Sequence, residues 1–210
     1  MESFGVPTMS VGSAPQIPGY LVQSGLRRWS VREYHRLIDT GFLGEDDCVH
    51  LLEGNMVLRI PPNPPHSNTV STAIRMLIKV VPDAWQLRSE QPITLADSEP
   101  QPDMTLARGD HTTFRSRHPG PSDLGLVIEV SDTILSVDRS DMGRTYARSN
   151  LAVYWIINLI DRQVEVYTDP RPNDPVPAYA TRTDYRSGDA VPLILDAQLV
   201  SRLPVDALLG

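Results

Sequence analysis

Apolar residues recur along this 210-residue chain with two different periods, and each period marks a different kind of element. Val70, Ile74, Leu77, Ile78 and Val81 follow the three-and-four spacing of a buried stripe, which predicts a helix from His66 to Val80 ended by Pro82. Val31, Tyr34, Leu37 and Ile38 share a face in the same way; Ser30 caps that helix, Glu33 completes a capping box and Gly41 stops it. A third helix starts at Ser136 or Asp138 and runs to about Ser149. Short apolar runs bounded by turn residues predict the strands: Val49 to Ile60 as a pair broken at Glu53-Gly54-Asn55, then Trp85 to Leu95, Gln101 to Leu106, Gly125 to Val130, Ala152 to Asn158, Gln163 to Thr168 and Ala178 to Thr183. Gly125 to Val130 is nearly all apolar, as suits a central strand covered on both faces. Pro61 to Pro65 is a rigid connector, and the stretch from Val191 to Leu209, interrupted by Pro192 and Pro204, is expected to cap a sheet edge.

The order of these elements predicts an α/β (α+β) fold, a mixed β-sheet flanked by helices. Residues 1–24, rich in Pro, Gly, Ser and Gln without periodicity, read as a flexible tail, and 25–210 as a single domain. A hydrophobic fraction of 40% supports an ordinary globular core. The net charge of −7 gives no overall attraction to a polyanion, so binding to nucleic acid would depend on local positive charge. A lone cysteine, Cys48, excludes an intrachain disulfide and a cysteine-rich zinc site. No signal-like or membrane-length apolar run is present, so a cytoplasmic protein without membrane contact is expected.

The chemistry concentrates between Gln101 and Tyr154. Asp103 heads a strand and Glu129 interrupts an apolar one, where an unpaired carboxylate is costly. Adjacent strands lie about 4.8 Å apart, so the two can converge on one divalent cation, and Mg²⁺ characteristically takes one or two carboxylates together with waters and substrate phosphate. The competing explanation is a turn-fixing Asp and a Glu paired with an arginine.

Pro102-Asp103, Val127-Ile128-Glu129-Val130-Ser131, Asp138, Tyr146-Ala147 and Tyr154-Trp155-Ile156, in this order, resemble the Uma-two family within the PD-(D/E)XK nuclease superfamily. Leu52-Glu53-Gly54 and the proline-led His66 belong to the same pattern. The resemblance implies a restriction endonuclease-like core, Asp103 and Glu129 as metal ligands, Glu53 as a further acid, and Mg²⁺-dependent hydrolysis of DNA, with Mn²⁺ as a possible substitute. It also exposes a departure. The superfamily lysine position two residues after Glu129 is Ser131, and the family's alternative position on the following helix is Met142. Asp138, Met142 and Tyr146 share a helix face by their spacing of four, and Arg139 is the nearest stand-in cation by helical geometry.

His66, at a helix start, is a candidate contact to phosphate or metal. Arg108, Arg115, Arg117 and His118 give the loop after Asp103 concentrated positive charge suited to phosphate contacts, although such runs are also ordinary solvated loops. Three function classes follow: a metal-dependent endonuclease, a catalytically inactive nuclease-fold protein serving as a DNA-binding or assembly module, and a two-carboxylate sugar hydrolase, which lacks the expected aromatic cleft. The nuclease reading carries a homodimer, so that two centres can address two strands, and a protein partner for targeting.

Overall fold

A computed structural model describes residues 26–210; the tail expected over 1–24 lies outside the described residues. Helix α1 (Val31–Asp39) is fixed at its start by the expected capping box, in which Ser30 Oγ accepts from Glu33 N and the Glu33 carboxylate accepts from Ser30 N. The hairpin β1 (Val49–Leu52) and β2 (Asn55–Leu58) follows, and its turn uses positive φ at Glu53 and Gly54. Leu51 bridges to Glu99, which anchors the hairpin beside the main sheet.

Helix α2 (Pro64–Leu77) begins two residues earlier than the pattern predicts. Pro64 and Pro65 occupy its first turn, where a missing N–H costs nothing, and the Asn63 side chain caps it by accepting from His66 N at 3.1 Å. Six strands then form one sheet in the order β3-β4-β5-β6-β7-β8. They are β3 (Trp85–Ser89), β4 (Met104–Arg108), β5 (Leu124–Ser131), β6 (Val153–Asn158), β7 (Gln163–Arg171) and β8 (Ala178–Arg186). Only β5 and β6 pair in parallel, and the crossover joining them is a composite helix, α3, over residues 135–148. Its middle, Asp138–Met142, is π-helical. Such wide turns recur at functional sites in helices.

Alternation divides the sheet into two faces. Leu106, Leu126, Ile128, Val130, Trp155 and Val164 point to one core, which also receives Val70, Ala73 and Leu77 of α2. The other face carries Ala107, Val127, Tyr154 and Ile156, packed under Leu135, Met142 and Tyr146 of α3. The pairing of β4 with β5 shifts between Leu106 and Ala107, leaving Gly125 as an extra residue. A Cβ at Gly125 would lie 2.5 Å from the Trp85 ring, so the close approach requires glycine there.

The C-terminal stretch departs from expectation. It forms a second hairpin, β9 (Ala190–Leu195) and β10 (Gln198–Pro204), followed by the short helix α4 (Val205–Leu209). Val191, Leu193, Leu195, Leu203, Val205, Leu208 and Leu209 are buried in the first core, so this segment covers a face of the sheet and does not cap its edge. Pro192 and Pro204 are tolerated because the hairpin is two-stranded and each strand has a free side.

Candidate active site

Asp103 precedes β4 and Glu129 lies in β5. Because Met104 pairs with Ile128, the two carboxylates fall opposite each other on the face covered by α3. Their geometry is fixed by main-chain donors. Val130 N donates to Asp103 Oδ2 at 2.7 Å, and Asp103 N donates to Glu129 Oε2 at 3.1 Å. Tyr146 of α3 donates its hydroxyl to Glu129 Oε1 at 2.6 Å, and His66 Nε2 lies 3.0 Å from Asp103 Oδ2. The first turn of α2 reaches this point because Asn63 Nδ2 hydrogen-bonds Asp132, just beyond β5.

A third carboxylate joins them. Asp138 opens the π segment, is buried, and leaves Oδ2 without a hydrogen-bond partner. Burial is the main cause of the pKa shifts here. Burial, then the charges of Asp103 and Asp138, push Glu129 well above the carboxylate range. Burial raises Asp138 to about 6, opposed by the Ser131 hydroxyl and reinforced by Asp103. Ser131 Oγ acts at longer range than a well-formed hydrogen bond, since it and Asp138 Oδ2 both lack such a partner. The hydrogen bond to Asp103 raises His66 against the effect of its own burial, and its Nδ1 is a buried atom with no partner. Burial also keeps the Tyr146 hydroxyl far above its usual range, so it remains a donor to Glu129.

The remaining candidates divide. Arg139 is not directed to this cluster. Its Nε donates to Glu165 Oε2 at 3.0 Å and its Nη2 to Asp161 Oδ2 at 3.0 Å. Glu165 is fully buried; burial raises its pKa, but donation from Arg139, Tyr167, Asn158 and Gln163 brings it down to about 2. Arg139 is thus committed to a structural network. The hydrogen bonds of Glu53 run to Arg144 Nε at 3.0 Å and Thr145 Oγ1 at 3.1 Å, tying the β1–β2 turn to α3, and none runs to Asp103 or Glu129. Met142 is buried in the apolar cluster with Tyr146 and Tyr154, on the same inner face as Asp138, as the spacing predicts. Arg108 falls on the opposite face, over the Trp85 ring at 4.5 Å and paired with Asp196, so it does not reach the carboxylates. Arg117 is neutralised by Asp123, with Nη1 2.6 Å from Oδ2. Arg115 lines a cavity of about 330 Å³ together with Arg88, a residue that sequence reasoning missed. The pairing of β3 with β4 could have revealed Arg88: Trp85 and Leu87 face the first core, which turns Gln86 and Arg88 to the face of Asp103.

This is a nuclease-type fold carrying a buried acidic cluster at the centre of its sheet. A family model described as "Uma2: Putative restriction endonuclease" matches residues 31–201, and the chain belongs to that family. The fold is similar to the crystal structure of "a putative nuclease belonging to DUF820 from Anabaena variabilis ATCC 29413", with a TM-score of 0.60 and 18% identity over 82% of this chain and 96% of that one. No curated protein matches the chain. Among the described residues no helix is long and apolar enough to cross a membrane.

The pair fits a hard divalent cation: Asp103 and Glu129 bring carboxylate oxygens together, and a cation would relieve their repulsion with each other and with the nearby Asp138. Among the described residues no three His, Cys, Asp or Glu side chains form a ready cage. Two carboxylates completed by water and phosphate is the usual arrangement for Mg²⁺.

The pKa of Asp138 gives a test of this repulsion. A carboxyl raised to about 6 binds its proton more tightly in the folded state, so it lowers stability as pH rises from about 4 to 6, and the cost persists above that. In EDTA, Asp138→Asn is therefore expected to be more stable than the unmodified chain at pH 8, by up to about 3 kcal/mol. The gain should vanish near pH 4. Thermal unfolding at both pH values measures it, and a difference that does not change with pH contradicts the arrangement.

Proposed function

We propose that this protein is a Mg²⁺-dependent endonuclease hydrolysing DNA phosphodiester bonds, with Mn²⁺ able to substitute. The observation that carries the reading is the opposed pair Asp103 and Glu129, each fixed by a main-chain N–H, beside the orphaned Asp138 oxygen. Asp103 and Glu129 would hold the ion. Bound there, Mg²⁺ supplies Lewis-acid stabilisation and a water of lowered pKa. Tyr146 and the Asp103 N–H hold Glu129 in one orientation, and His66 holds Asp103. His66, when protonated, also places positive charge at the mouth of α2, where a phosphate oxygen can meet it. Arg115 contributes a further cation on the loop after β4. The reading includes a homodimer acting on both strands, a cytoplasmic setting and a protein partner that selects targets.

Met142 favours a second reading. Its thioether lies in the apolar cluster where the family carries a lysine, and Arg139, bound to Glu165 and Asp161, does not replace that charge. A charge that stabilises the transition state is typically worth orders of magnitude in rate. The alternative is therefore an inactive nuclease-fold protein that binds DNA or assembles with other proteins.

Plasmid cleavage with Mg²⁺ or Mn²⁺ separates the two. The expected result is slow nicking that Asp103→Ala abolishes and Met142→Lys accelerates by roughly tenfold or more. Cleavage only after Met142→Lys establishes the inactive reading, and cleavage that survives Asp103→Ala removes the assignment. The homodimer has its own check: sedimentation should give twice the 23.3 kDa chain mass, and a monomer at every concentration contradicts it.

A further inference from the structure

The edge strand β3 carries a cation for which the described residues supply no counter-charge. Arg88 is half-buried, and its Nε is a buried atom without a hydrogen-bond partner. Its Nη1 donates to the neutral Gln86 amide at 3.0 Å. Among the described residues no carboxylate lies within ion-pair distance of Arg88, whereas Arg108, Arg117, Arg139, Arg144, Arg148 and Arg182 all have one. Taking a guanidinium partly out of water without a counter-ion costs free energy, and burial accordingly lowers its pKa.

The side chain is nevertheless held in place. Its guanidinium lies over the Phe114 ring, 5.2 Å from the centroid, and Arg117 approaches the same ring at 5.2 Å. Phe114 is packed in turn against the second core, so the loop after β4 is pinned over the sheet face at this point. The result is a cavity of about 330 Å³ lined by Gln86, Leu87, Arg88, Gln91, His111, Phe114 and Arg115, with amide and cationic groups and no acid among them. The position of this cavity relative to the carboxylates follows from the register. Arg88 pairs with Thr105, and Thr105 pairs with Val127, all on the Asp103–Glu129 face. Glu129 is thus two strands across and two residues along from Arg88, roughly 12 Å between main chains.

We propose that this cavity is a phosphate-binding subsite for a nucleic-acid strand, in which Arg88, oriented by Phe114 and assisted by Arg115, holds a phosphodiester flanking the one at the carboxylates. The inference rests on the nuclease reading for its choice of ligand, but not on cleavage. A half-buried guanidinium with free donors is suited to a phosphate, which it can bind through two N–H groups. It also explains how a chain of net charge −7 can attract a strand locally.

The test is binding of a fluorescein-labelled single-stranded oligonucleotide by anisotropy, in EDTA and in the Asp103→Ala background, so that neither metal nor cleavage enters. Arg88→Gln is expected to weaken binding about tenfold. It should also reduce the slope of log affinity against log salt by about 0.7, the contribution of one phosphate contact on a single strand. Arg88→Lys should keep the slope and lose part of the affinity. Arg75→Gln, a charge change on exposed α2, should leave both unchanged, and unaltered thermal unfolding excludes misfolding. Binding by Arg88→Gln equal to that of its parent, an equal loss in Arg75→Gln, or no salt-dependent binding by the parent overturns the subsite. The nuclease reading is decided separately, by plasmid cleavage.

Discussion

Three carboxylates packed between the sheet and helix α3 repel one another, and much of the local structure answers that repulsion. Asp103 and Glu129 are each fixed by a main-chain N–H of the other's strand, and Tyr146 and His66 supply the remaining donors. Asp138 receives no such compensation at Oδ2. A fold that only needed stability would place apolar residues at these positions, since removing charges from water costs more than most buried pairs return. Burial first, and then the neighbouring charges, make both Glu129 and Asp138 hold their protons more tightly than ordinary carboxyls, a cost that the proposed cation would relieve.

The composite helix α3 links this cluster to the rest of the molecule. Its π segment begins at Asp138 and ends at Met142, and the turn that follows supplies Tyr146. The same helix pairs Arg139 with the buried Glu165 of β7 and Arg144 with Glu53 of the β1–β2 turn, so ion pairs pin it to two different elements. A helix tied on both sides cannot easily rotate to offer Arg139 to the carboxylates. Met142, buried on the inner side of the helix, then offers only a thioether at its position.

The fold was largely legible because it is written in periodic patterns. Val70, Leu77 and the run around Ile128 announced the first core, and the positions of Asp103 and Glu129 at and within neighbouring strands announced their approach. What escaped depends on contacts between residues far apart in sequence. The partner of Arg139, Glu165, is 26 residues away across the sheet, and nothing local distinguishes it from the exposed acids. Arg108 looked like loop charge, yet strand pairing turns it to the opposite face, toward Asp196. Arg88 lies inside the strand expected over Trp85 to Leu95, where nothing local sets it apart from other strand residues. The hairpin from Ala190 to Pro204 was masked by its prolines, which ordinarily argue against strand.

The central claim is that the carboxylate pair is a divalent-cation site, and calorimetric titration of the purified, EDTA-treated protein with Mn²⁺ tests it most directly. A saturable single site that disappears in both Asp103→Ala and Glu129→Ala, each still folded by circular dichroism, is the result the account predicts. An absence of binding in the unmodified protein, or binding that persists undiminished in both variants, would contradict it.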